Sequence, residues 1–273
     1  MTLAMRDSGI VVLDQKWPSE VIVLRHGLTT HNVRSQEKRE DSFYNSFKAQ
    51  FEKSPHSRVT LAMSRKVVSR WPTNESDRST QIVQEAIQNA VATGVGLSKT
   101  HELPDVIYIS NYARTRQTLD AVMSGWPELR GVKVVVDDRI REQEHGLCLL
   151  VGDWRVFFAR NPEQYALRKL EGRFDYRWPQ GESVYDVKER LRSFQGTLSR
   201  EHAGQRVLLV THHLTILALR MNLERFDEEE FLRLDEEEKP LNCSVTVYAS
   251  VPGGGKSGKG KLELQDYNVC HYN

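Results

Sequence analysis

Cysteine is scarce in this chain: three residues, Cys148, Cys243 and Cys270, in 273, with no CxxC pair among them. An odd count at wide spacing excludes a disulfide framework and a structural zinc site, and suits a reducing compartment. Long hydrophobic runs are missing too, and no stretch approaches the roughly 18 apolar residues a membrane span needs. The opening MTLAMRDSGIVVLDQKW breaks its apolar stretch with acidic groups, unlike a signal peptide. Nor is there an excess of charge. A net charge of +1 argues against bulk attraction to nucleic acid or to an acidic membrane, although basic residues can still gather locally. Internal repeats are absent. What these absences leave is a soluble, cytoplasmic protein, for which 39% hydrophobic and 27% charged residues is an ordinary balance. A chain of 273 residues also suffices for a sizeable core.

Four apolar runs read as strands covered on both faces of a parallel sheet: VIVL (21–24), DVIYI (105–109), VKVVV (132–136) and RVLLV (206–210). Helical patterns lie between them. After Ser183, the residues Val184, Val187, Leu191, Phe194 and Leu198 recur at steps of three and four, and Ser183 with Asp186 resembles a capping box. A second helix is expected over Ile82, Val83, Ala86, Ile87, Ala90 and Val91, ending near Gly94. Strands alternating with helices imply an α/β layered fold.

Two stretches break this rhythm. Residues 33–76 are polar and charged, with a weak helical pattern around FYNSFKAQF, and residues 147–180 are rich in arginine and aromatics. Both are expected as insertions forming a lid or cap over one end of the sheet. The tail, about 243–269, reads as a hairpin with a Gly/Lys loop. From Gly253 that loop nearly spells GxxxxGK, but Gly260 stands where a phosphate loop needs Ser or Thr, and no helix follows. We take the whole of 1–273 as a single domain.

The stretch VIVLRHGLTTHN (21–32) poses the functional question, because an apolar strand stops there on an Arg-His pair. Alone, Arg25-His26-Gly27 fits either a structural turn or an anion pocket. Open α/β sheets place ligands at the C-terminal ends of their strands, and three more strand ends carry matching chemistry. The second leads to Ser110 and Arg114, the third to Glu142, and the fourth to His212 and His213. One such residue is usually a packing feature; four strand ends delivering Arg-His, Arg, Glu and His to one rim point to a site.

At this point the sequence resembles the histidine phosphatase superfamily, in the branch named after cofactor-dependent phosphoglycerate mutase. RHGxTxxN is matched by Arg25, His26, Gly27, Thr29 and Asn32; SxxxRAxQT by Ser110, Arg114, Gln117 and Thr118, with Thr115 for Ala. RExxxG is matched by Arg141, Glu142 and Gly146, and V[ST]HG by Val210, Thr211 and His212, with His213 for the glycine. The motifs run in order from residue 25 to residue 212; residues 33–102 match poorly, and FDYRWPQGESVYDVKERL resembles a segment of the fructose-2,6-bisphosphatase domain. The resemblance implies a three-layer sandwich with a mainly parallel central sheet flanked by helices. It also implies a small phosphoester substrate, inorganic phosphate as product, no cofactor and no metal, and is compatible with a homodimer.

The residue types then suggest roles. Arg25 and Arg114 are charged forks suited to phosphoryl oxygens, with Thr29, Asn32, His212 and His213 as further donors. An unprotonated His26 attacks phosphorus, and the neighbouring arginines disfavour its imidazolium form. Glu142 protonates the leaving oxygen and then activates water. Arg168, Arg173 and Arg177, in an aromatic-rich setting, either contact a second anionic group on the substrate or form a solvated helix face. His31, His56, His101, His145, His202 and His271 show no metal-ligand spacing and read as surface or packing residues. The expectation is a phosphatase acting through a phosphohistidine. The alternatives are a phosphomutase, whose ERHYGxLxG segment this chain lacks, and a catalytically silent phosphate-binding protein.

Overall fold

The computed structural model describes residues 16–73, 76–251, 253–254 and 260–272. The N-terminal stretch read above as unlike a signal peptide, and most of the Gly/Lys loop, lie outside the described residues. Six strands form one sheet: β1 (Glu20–Arg25), β2 (Val106–Ile109), β3 (Lys133–Val136), β4 (Arg206–Thr211), β5 (Val245–Val251) and β6 (Lys261–Val269), in the order β3-β2-β4-β1-β5-β6. The first four are mutually parallel; β5 runs antiparallel to β1, and β6 antiparallel to β5. The hairpin expected at the C-terminal end is therefore the antiparallel margin of a mainly parallel sheet.

Ten helices accompany the described strands: α1 (Thr30–Glu40), α2 (Ser42–Lys53), α3 (Arg58–Arg70), α4 (Gln84–Thr100), α5 (Ala113–Gly125), α6 (Trp154–Arg160), α7 (Pro162–Asp175), α8 (Val184–Glu201), α9 (His213–Glu224) and α10 (Glu228–Glu237). Side chains alternate across the sheet, and each face has its own core. Val21, Val23, Tyr108, Val207 and Leu209 pack with α8, α9 and α10. Ile22, Leu24, Ile107, Leu208 and Val210 pack with α4 and α5. That two-sided burial is why β1, β2 and β4 are continuous apolar runs. β3 departs from this expectation. It is the sheet edge, and its Val134 and Val136 are 38% and 48% exposed.

The Ser183–Asp186 capping box starts α8 as expected. Helix α4 runs past Gly94 to Thr100. Gly94 is there for contact, since a Cβ on it would lie 2.2 Å from the Val122 carbonyl oxygen, and one on Gly125 would lie 2.0 Å from that of Val91. The two glycines let α4 and α5 touch backbone to backbone.

The first insertion is more ordered than its polarity suggests. It holds α1, α2 and α3, whose Tyr44, Phe47, Phe51 and Val67 meet Phe157, Phe158, Tyr176 and Trp178 of the second insertion in a third apolar core. Its weak signal arises because Thr60 and Ser64 occupy fully buried positions on α3. Polar staples join the two insertions: Lys38 Nζ donates to the Gly152 carbonyl at 3.0 Å, and the Tyr44 hydroxyl donates to Asp153 at 2.6 Å.

Candidate active site

The C-terminal ends of β1 and β4 lie side by side, pairing Arg25 with Thr211, so the residues that follow them, His26 and His212, become neighbours. Their ring centroids are 5.1 Å apart at an interplanar angle of 61°. His26 Nδ1 lies 2.8 Å from the Gly27 carbonyl oxygen. A carbonyl only accepts, so Nδ1 carries the hydrogen and the neutral ring keeps a lone pair on Nε2. The turn is held from behind by the Gly27 N–H donating to Thr118 Oγ1 at 2.9 Å, and by Asn242 Nδ2 donating to the His26 carbonyl at 3.0 Å. Desolvation keeps the His26 pKa well below its usual value, with Arg114 and Arg25 adding to the effect.

His212 is bracketed. Arg114 Nε donates to its Nδ1 at 3.3 Å, and its Nε2 lies 2.8 Å from Ser110 Oγ. Burial, then Arg114 and His26, hold its pKa well down. Because Nδ1 accepts from Arg114, the hydrogen of the neutral ring sits on Nε2 and is donated to Ser110 Oγ, so both ring nitrogens are engaged by protein groups. Arg114 is buried and stacks 4.5 Å above Tyr112; Arg25 Nη1 donates to the Pro240 carbonyl at 2.5 Å, while its buried Nε has no protein partner.

Glu142 lies on the loop between β3 and α6. Its Oε1 accepts from the Gln143 N–H at 3.0 Å, and its Oε2 lies 3.5 Å from the Leu214 N–H in the first turn of α9. Desolvation raises its pKa above the ordinary carboxyl value, against the pull of Arg114 and Arg25. Glu182 fixes this loop: its carboxylate takes Arg141 Nη2 at 2.6 Å and Arg190 Nε at 2.9 Å, and Arg190 Nη2 reaches the Glu142 carbonyl at 3.1 Å. Thr215 Oγ1 donates to the Arg141 carbonyl at 2.5 Å, tying the loop to α9.

The structure thus brings His26, His212, Arg25, Arg114 and Glu142 together. Other expected residues fall elsewhere. Thr29 is the N-cap of α1, and its hydroxyl is spent on Asn32, donating to Oδ1 at 2.8 Å and accepting from the backbone N–H at 3.1 Å; this box uses only the acceptor of the Asn32 amide and leaves its Nδ2, the expected donor, out of it. His213 turns its Nε2 toward the fully buried Asp235 on α10, at 2.8 Å from Oδ1, rather than presenting it as a phosphate donor. Arg173 contacts the same Asp235, and Arg177 pairs with Asp186 at 2.5 Å, so both are committed to protein carboxylates. Arg168 lies 5.9 Å over the Tyr176 ring, and burial lowers its pKa to about 10.

Two participants have no motif. Asp77 binds Arg114 through its backbone carbonyl at 2.6 Å and its carboxylate at 3.1 Å. Glu182 was visible only as part of PQGES, with no sign of its partners. Among the described residues, no three His, Cys, Asp or Glu side chains are grouped as metal ligands. No helix among them is long and apolar enough to cross a membrane.

Comparison with known proteins places the chain by family and fold. The family model described as "Histidine phosphatase superfamily (branch 1)" matches residues 74–258, beginning where the first insertion ends. The "Phosphoglycerate mutase-like protein AT74" of Arabidopsis thaliana is 28% identical over 202 residues, 68% of this chain and 61% of that protein, so the chain spans about three-fifths of that relative's length. The "Broad-range acid phosphatase DET1" of Saccharomyces cerevisiae is 36% identical over 106 residues, 36% of this chain and 30% of that one. Among solved structures, mycobacterial glucosyl-3-phosphoglycerate phosphatase with inorganic phosphate superposes with a TM-score of 0.60 at 20% identity, over 93% of this chain and 98% of that chain. That likeness establishes the fold, and the sequence match establishes the lineage: the chain belongs to the histidine phosphatase superfamily, branch 1.

Proposed function

We propose that the protein is a phosphomonoester hydrolase working through a phosphohistidine on His26, on a small anionic substrate, in the cytoplasm and without a metal. The observation that carries this reading is the fixed tautomer of His26: Nδ1–H is held by the Gly27 carbonyl, and Nε2 keeps its lone pair beside Arg25, Arg114 and His212. Nε2 attacks phosphorus, the N–P bond forms, and the P–O bond to the leaving group breaks. The arginines and the first turn of α9 meet the charge on the equatorial oxygens. Glu142, whose pKa desolvation raises above the ordinary carboxyl value, delivers a proton to the departing oxygen. The resulting carboxylate then takes a proton from water as its oxygen attacks phosphorus, and the N–P bond breaks to release phosphate and restore His26.

The test is rapid quenching with a labelled aryl phosphate in the presence of chelator. Acid-labile label on the wild type, none on His26→Ala, and an unchanged rate with chelator are expected, with the His26→Ala turnover down by roughly a thousandfold or more. Label that never appears on the protein rejects the reading. Transfer of label between glycerate positions faster than its release to water assigns a mutase instead.

A further inference from the structure

One guanidinium nitrogen of Arg114 is held by an anion of the protein itself. Arg114 Nη1 donates to the Asp77 carbonyl at 2.6 Å and to its carboxylate at 3.1 Å, while Nε of the same side chain reaches His212. Asp77 cannot readily swing away. It sits in a short turn at Asp77–Ser79, and the next residue, Arg78, pairs with Glu144 on the acid loop at 2.7 Å. Both arginines lie over the Tyr112 ring, Arg114 at 4.5 Å and Arg78 at 5.8 Å. The turn is therefore clamped between the residue that grips phosphate and the loop that carries the acid.

Arg114 from α5 is in contact with Asp77, and the Asp77 charge also acts electrostatically on Tyr112 at the start of α5, His31 of α1, and Glu142 and His145 of the acid loop, with Arg78 on its own turn paired to Glu144. Desolvation holds His145 below its usual pKa, and the pKa of His31, though its side chain is exposed, is lowered as well, so neither adds a cation near neutral pH. The cations that act most strongly on His26 are Arg114 and Arg25, and Asp77 offsets the first of them. A phosphomonoester loses its second proton near pH 6, so both of its ionic forms compete for the pocket. The dianion sets two charges beside the Asp77 carboxylate. The monoanion sets one and offers a P–OH.

We propose, resting on the phosphatase reading above, that Asp77 is a specificity-determining residue that selects the monoanionic phosphate group, its carboxylate accepting the P–OH hydrogen. The substrate class is thereby narrowed to phosphoesters taken up in their singly charged form.

Calorimetric titration with inorganic phosphate, from about pH 5.5 to about pH 8, tests this without relying on turnover. Wild type and Asp77→Glu should lose affinity with rising pH by on the order of tenfold, whereas Asp77→Asn should lose this dependence and bind more tightly than wild type at the alkaline end. Asp77→Asn binding weakened by one factor at every pH, the mark of a residue that merely holds Arg114, overturns the proposal. So does an identical pH dependence in all three proteins, or a wild type that binds no phosphate. The labelled-histidine experiment reads separately: a chain that labels on His26 yet fails here keeps the phosphatase reading and loses Asp77 as selector.

Discussion

His26 and Glu142 are shaped by opposite consequences of the same desolvation. Burial disfavours the proton on the imidazole and favours one on the carboxyl, the directions that the proposed nucleophile and acid each need. For Glu142 the sign is clear. Its pKa lies above the ordinary carboxyl value, the acid form persists to higher pH, and turnover declines as pH climbs through that pKa. Glu142→Gln should lower kcat by about 10²–10⁴ and abolish this alkaline decline; a decline that survives the substitution assigns the acid elsewhere. These residues were legible in the sequence because phosphoryl transfer restricts each position to a few side chains at strand ends. Asp77 and Glu182 were not, since an ion pair between Asp77 and Arg114, 37 positions apart, leaves no local pattern. His213 misled for a related reason: its partner, Asp235, belongs to another helix.

At the scale of the element, α5 matters most, because its first turn carries Arg114 and its flank rests directly on α4. Gly94→Ala forces a methyl to within 2.2 Å of a backbone oxygen, so α5 must shift. The variant should lose about 1–3 kcal/mol in urea denaturation and also bind phosphate more weakly, since the displacement reaches Arg114. Full stability with unaltered binding would mean that the crossing is not tight. The sequence placed α4 correctly but ended it at Gly94, reading a contact glycine as a terminator; only the neighbour distinguishes the two. The helices of the first insertion were hidden similarly. Thr60 and Ser64 interrupt the apolar period of α3, yet Thr60 finds the Ser54 carbonyl at 2.5 Å and Ser64 that of Leu61 at 2.9 Å.

For the whole molecule, the buried neutral histidines make folding depend on pH. His26 and His212 have folded pKa values below the usual 6.5, so the unfolded chain binds their protons first. Their contribution is present above pH 6.5 and lost as pH falls below it, by about 3 kcal/mol per pH unit for the two together. His213 shifts in the same direction, whereas Glu142, with its raised pKa, works in the other sense. Melting temperature should drop steeply below pH 6.5, and His212→Gln should make that drop shallower; a flat profile would mean these rings are already charged in the folded protein. The layered architecture was readable from the alternation of strands and helices. The two insertions stood out as breaks in that rhythm, but the core they share did not, because it depends on aromatics brought together from both.

The position of β1 has a consequence for synthesis. The strand that ends at the nucleophile is made early, yet its two partners in the sheet are β4 and β5, which begin at Arg206 and Val245. Until Arg206 is made, β1 has no neighbouring strand on either side. A polypeptide cut short by a premature stop or a protease before β4 and β5 emerge therefore cannot set His212 beside His26, and the pocket never assembles.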